Sequence, residues 1–114
     1  MNEPFLDDEG YPTDEFLEQI EKFDLFKNDL MHENAHELID TLEEVWYFGD
    51  WGFKKRRSYK GKFILELHTG GWSGNESIIK ALNKTFFWSL YWVQSRRGGH
   101  YLFKIPFNTK KFKA

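Results

Sequence analysis

The sequence predicts an α+β domain in which two N-terminal helices pack on a four-stranded sheet of ββαββ order. Apolar residues recur at helical spacing in two stretches between Phe16 and Trp46, then switch near Gly49 to the every-second-residue spacing of strands. Twelve Phe, five Trp and five Tyr bring enough large apolar area to build a core within 114 residues, without disulfides or metal. Gly10 and Pro12 punctuate before the first helix, and Gly49 and Gly52 break the second.

Residues 1–12 read as an irregular acidic lead-in with Gly10 and Pro12 as breakers, residues 13–106 as one domain, and 107–114 as a basic tail. Thr13 is an N-cap candidate, with Asp14 and Glu15 in the first turn. Phe16, Leu17, Ile20 and Phe23 form the stripe of the first helix, and Asn28-Asp29 punctuate. Ala35, Leu38, Ile39, Leu42, Val45 and Trp46 form the stripe of the second. Trp51–Tyr59 reads as a first strand carrying Lys54-Lys55-Arg56-Arg57, and Lys60-Gly61 as a turn. In the second strand Phe63, Leu65 and Leu67 alternate with Ile64, Glu66 and His68. Ser73 and Glu76 match a capping box opening a helix with Ile78, Ile79 and Leu82. Phe87–Gln94 reads as a third strand, Ser95–Gly99 as a turn, and Tyr101, Phe103 and Ile105 as the last strand, closed by Pro106.

Charge is unevenly divided. Residues 1–50 carry 16 acidic and 2 basic side chains, a net −14, while residues 51–114 carry 2 and 14, a net +12. Either an acidic helical layer neutralises a basic sheet, or one face meets an anionic partner. The absence of cysteine excludes disulfide scaffolds and thiolate zinc sites, and fits a reducing compartment. The acidic start is unlike a secretion signal, and no apolar run has the length of a membrane span, so a cytoplasmic protein with no membrane partner is expected.

The order of elements makes a geometric prediction. If the second and third strands run parallel, joined by a helical crossover, then Gly70–Glu76 and Ser95–Gly99 meet at one end of the sheet. That end offers the parts of an anion site: a helix N-terminus, Gly70, Gly71, Gly74, Ser73 and Asn75 in the loop, Trp72 as a stacking surface, and Arg96, Arg97 and His100 from the hairpin. The same groups have a purely structural reading as turns and caps. A nucleotide, a nucleic-acid phosphate or a partner's carboxylate would all fit such a site, with no cofactor required. His68 and His100 at strand ends suggest an alternative, acid–base cleavage of a phosphodiester. Each lacks the Thr or Ser two residues on that a paired phosphodiesterase motif carries. His32-Glu33-Asn34-Ala35-His36 matches H-E-x-x-H, but His36 and Glu33 fall toward solvent on the predicted helix and no third ligand is spaced for zinc. The Lys54–Arg57 run is expected toward the end of the sheet opposite the glycine motifs.

Trp51-Gly52-Phe53, Gly70–Glu76 (GGWSGNE), Phe87-Trp88 and Ser95–Tyr101 (SRRGGHY) together resemble a set of small uncharacterised proteins encoded by bacteriophages and mobile elements, over residues 46–105. The resemblance implies a host-cell cytoplasm and favours binding over catalysis. The expected partner is an anionic ligand or a host or defence component. A further alternative is an inhibitor that blocks a protein with its acidic helices. Composition and motifs leave the oligomeric state open.

Overall fold

The computed structural model describes residues 5–47, 49–57 and 61–106. The expected basic tail, Ser58–Lys60 of the first hairpin and the start of the lead-in lie outside the described residues. The chain runs α1 (Asp14–Glu21), a 3-10 turn (Lys27–Asp29), α2 (Met31–Val45) and a single helical turn α3 (Gly49–Gly52). It continues through β1 (Phe53–Arg57), β2 (Lys62–His68), α4 (Ser73–Asn83), α5 (Phe86–Tyr91), β3 (Trp92–Arg96) and β4 (His100–Pro106). The class is α+β as expected, with two helices rather than one between the hairpins.

The four strands form one sheet in the order β1-β2-β4-β3, every neighbouring pair antiparallel. β2 and β3 therefore run in the same direction, but β4 lies between them. The helices cover one face. Phe53, Leu65, Leu67, Phe103 and Ile105 point into a core with Phe16 and Ile20 of α1, Leu38, Ile39 and Leu42 of α2, Ile78 and Leu82 of α4, and Phe87 and Tyr91 of α5. Burying one such side chain stabilises by about 1.5–3 kcal/mol relative to exposure. The alternate strand positions face away from the helices, and among the described residues no helix covers this second face, on which Ile64 is nonetheless buried.

Several local expectations need correction. The described part of the lead-in, residues 5–12, has no helix or strand but is held by specific contacts. Asp7 Oδ1 accepts from the backbone N–H groups of Glu9 and Tyr11, Leu6 bridges to Pro12, and Phe5 packs 5.0 Å from Phe16, ring to ring. β1 is shorter than Trp51–Tyr59 because Gly49–Gly52 close a helical turn before it. Phe87–Gln94 divides. Thr85 caps α5 by accepting from Trp88 N–H, and Phe87 and Tyr91, one helical turn apart, are buried while Phe86 and Leu90 are exposed. Aromatic density suggested alternation, but the cap and the i,i+4 burial belong to a helix. The strand begins only at Trp92 and carries a bulge at Val93.

Thr13 caps α1 as expected, its hydroxyl accepting from Phe16 N–H at 3.1 Å. Ser73 does not cap α4: Trp72 occupies the cap position, and Ser73 is already helical. Glu76 instead accepts from the Thr69 hydroxyl at 3.4 Å. Thr13→Ala is therefore expected to cost about 1 kcal/mol, whereas Ser73→Ala should stay within about 0.5 kcal/mol. Urea midpoints of the two variants check this, and a larger loss at Ser73 would restore the capping box.

Candidate anion site at the hairpin end of the open sheet face

The predicted meeting of the two glycine motifs is present. Thr69, just past β2, donates its backbone N–H to Gly99 O at 3.0 Å. Gly99 has a φ of +80°, and a Cβ there would stand 2.1 Å from the Thr69 hydroxyl, so only glycine lets the hairpin turn approach the loop this closely. The β2–β4 register pairs His68 with His100, and the β3–β4 register places Arg96 beside His100. His68, His100 and Arg96 thus form a row at one end of the open face.

Within that row the Nδ1 atoms of His68 and His100 lie 2.6 Å apart. A single proton fits between them, so one imidazole donates and the other accepts, and no space remains there for a phosphoryl group. Burial, followed by the charge of His100, holds His68 below its ordinary value of 6.5, with Lys54 and Arg96 acting in the same direction and Glu66 against it. Glu66, Gln94, Arg96, Tyr101 and Leu102 surround the pair in a shallow recess. Trp51 stands at its margin, ring centroid 5.8 Å from His68, and the Trp46 indole donates to the His68 carbonyl at 3.2 Å.

A depressed histidine makes stability depend on pH. The folded state resists protonating His68 while the unfolded chain does not, so stability is full above the ordinary value and declines as pH falls through 6.5 toward the lowered folded value. His32 is shifted in the same direction, first by its own burial, and adds to the decline. Denaturant midpoints at successive pH values are expected to fall below about pH 6.5, and His68→Gln should flatten that fall. A decline of unchanged steepness in His68→Gln would remove His68 as a source.

Of the other predicted site residues, Trp72, Gly74 and Asn75 are committed to packing within the fold. Trp72 is sandwiched between Tyr11 and Tyr47, at 4.7 Å and 4.3 Å with interplanar angles of 20° and 21°, so its faces are occupied within the fold. A Cβ on Gly74 would lie 2.7 Å from the Trp72 indole nitrogen and 3.0 Å from Pro12, so the lead-in covers the start of α4. Asn75 is buried, accepting from Tyr47 N–H at 3.0 Å and donating to Tyr47 O at 2.9 Å and Thr69 O at 3.3 Å. Gly70 and Gly71 form the exposed turn between these groups and the sheet, Ser73 is exposed, and Arg97 is exposed in the hairpin turn. The GGWSGNE segment therefore builds the edge, and the hairpin side supplies its accessible cations.

The Lys54–Arg57 run is not confined to the opposite end. Lys54 pairs with Glu66 in the β1–β2 register, next to the histidine row, and Arg57 pairs with Phe63 at the far end. Alternation also divides the run. Lys55 turns to the helical layer and meets Glu43 at 2.6 Å, while Lys54 and Arg56 take the open face. Lys62 and Lys104 share that face by register. Among the described residues, Arg56 meets Glu66 at 3.7 Å, while Lys54, Lys62, Arg96 and Lys104 enter no ion pair. Trp51, Glu66 and Gln94 were not expected at the site; the period-2 parity of β2 was the available signal for Glu66.

The H-E-x-x-H histidines have other partners. His32 Nδ1 shares a 2.9 Å hydrogen bond with the Tyr91 hydroxyl, whose pKa burial pushes up to about 12. His36 does not face away into solvent. It is half-buried, edge-on to Phe63 at 5.0 Å, with Nε2 donating to Pro106 O at 3.0 Å. Among the described residues, no three His, Asp or Glu side chains are grouped for a metal. None of their helices is long and apolar enough to cross a membrane. No protein family, curated protein or solved structure matches this chain.

Proposed function

We propose that this is a small phage-type binding domain that takes an anionic group at the hairpin end of its open sheet face, and that its partner is a host or defence component. The observation that carries the reading is the one-sided charge of that face. Lys54, Arg56, Lys62, Arg96 and Lys104 share it with a single carboxylate, Glu66. The helical layer, with Glu18, Glu37, Asp40 and Glu44 exposed, lies across the core from it. Lys55–Glu43 joins the sheet to the helical layer and Lys84–Glu21 joins two helices, while on the open face Arg56 meets Glu66 at 3.7 Å and the other four cations outnumber that carboxylate. An anion there would meet the Arg96 guanidinium and the His68–His100 pair together, with Arg97 in reach from the turn.

Inorganic tripolyphosphate is a suitable probe, titrated calorimetrically into the wild type and an Arg96→Ala/Arg97→Ala variant. Two lost charge-assisted hydrogen bonds at about 1.5 kcal/mol each correspond to roughly 100-fold weaker binding. Stability should change little, because exposed hairpin charges contribute little to it. Unchanged affinity in a folded double variant would remove the site.

A further inference from the structure

We infer that the anion is the backbone of a single-stranded nucleic acid laid along the open sheet face, with a base stacked on Trp51. The inference rests on the anion-binding reading above and gives it a ligand class. Register sorts the face into successive rows. The first holds His68, His100 and Arg96; the second Lys54, Glu66, Leu102 and Gln94; the third Arg56, Ile64 and Lys104; the fourth Lys62 beside Pro106. Rows on one face are two residues, or about 7 Å, apart, so the cations follow a track of roughly 20 Å along the strands. A lone phosphate or carboxylate would use one row; a linear polyanion uses all four.

Chemistry other than charge narrows the class. Trp51 is 53% exposed at the end of this track, its ring beside the His68 ring. Its backbone is held by the close packing of Gly52 against the His68 carbonyl. An exposed indole at the head of a row of cations is a stacking platform joined to a backbone track, the combination that binds unpaired bases without sequence preference. A duplex hides its base faces, and reading its groove takes a projecting helix or ribbon, which a flat sheet face does not offer. Leu102, in the second row, adds a partly exposed apolar side chain between the cations.

The test measures fluorescence anisotropy with a labelled oligothymidylate of about a dozen nucleotides, set against tripolyphosphate, a blunt duplex of the same length and polyglutamate. The proteins are the wild type, Trp51→Ala, Trp51→Phe and Arg96→Ala/Lys54→Ala, each checked for folding by circular dichroism. The single strand is expected to bind tightest. With Lys54, Lys62, Arg96 and Lys104 in no ion pair among the described residues, its log affinity should fall with log salt at a slope of about 3. Trp51→Ala should weaken it about 10-fold or more, Trp51→Phe less, and neither should change tripolyphosphate binding. If tripolyphosphate depends on Arg96 while the oligonucleotide ignores Trp51, or the duplex or polyglutamate binds equally well, the ligand class is wrong and the anion site stands. If no polyanion binds the folded wild type, both readings fall.

Discussion

Asn75→Ala is expected to destabilise the protein by about 3 kcal/mol and to leave anion affinity of the folded fraction unchanged. Its amide is 1% exposed and joins two segments far apart in sequence. It accepts from the Tyr47 N–H, donates to the Tyr47 carbonyl, and donates to the Thr69 carbonyl. Truncation leaves those backbone groups without their partner and opens a void in a buried position. A backbone group left without a partner costs about 1–3 kcal/mol, and the lost packing adds to it. Asn75→Asp should be no milder, since it would aim a carboxylate at two carbonyl oxygens. Urea denaturation of both variants gives the stability change, and tripolyphosphate titration below the transition gives the affinity. A stable Asn75→Ala protein with lost affinity would return this residue to the ligand site.

Gly52→Ala should cost about 3 kcal/mol, and it should also disturb Trp51. A Cβ at Gly52 would sit 2.4 Å from the His68 carbonyl oxygen and 3.1 Å from the Trp46 indole nitrogen. The first contact is with the backbone of β2, whose position is fixed by pairing in the sheet, so it cannot yield as a flexible side chain would. The second is the donor that satisfies that same carbonyl. Relief requires α3 to lift away from β2, carrying the indole of Trp51 from the histidine row. Gly49, at the other end of the turn, has nothing within 4 Å of its would-be Cβ, and Gly49→Ala should stay within about 0.5 kcal/mol. Equal midpoints for the two variants would show that the close approach at Gly52 is not a constraint.

Both residues lie in motifs the sequence analysis singled out, and their roles show where sequence reading stops. Glycine, tryptophan and asparagine before a helix have the composition of an anion loop. They have equally the composition of a loop that must pass close to its own fold. Trp72 illustrates the difference: its stacking partners, Tyr11 and Tyr47, come from segments with no periodic relation to it. Ser73 and Glu76 had the right spacing for a capping box, but the chain enters the helix one residue earlier, so the hydroxyl is no longer at the cap.

Local periodicity did determine a good deal. The helical stripes through Phe16 and Ile20 and through Leu38 to Val45, the Thr13 cap, and the alternation of Phe63, Leu65 and Leu67 are all visible in sequence, because burial on one side of a helix or strand repeats with that element's own period. The meeting of His68 with His100 was also legible, since a helical crossover returns the chain to the same end of the sheet. What only the tertiary structure decided is what lies opposite each face. Parity assigns Lys54 and Lys55 to opposite sides of β1, but only the packing of α2 sends Lys55 to Glu43 and leaves Lys54 on the open face. Helical and alternating readings of Phe86–Tyr91 likewise compete until the buried positions of Phe87 and Tyr91 are known. Periodicity records that a side is buried; the identity of the covering layer depends on contacts dozens of residues away, and it is those contacts that leave one face of this sheet basic and open.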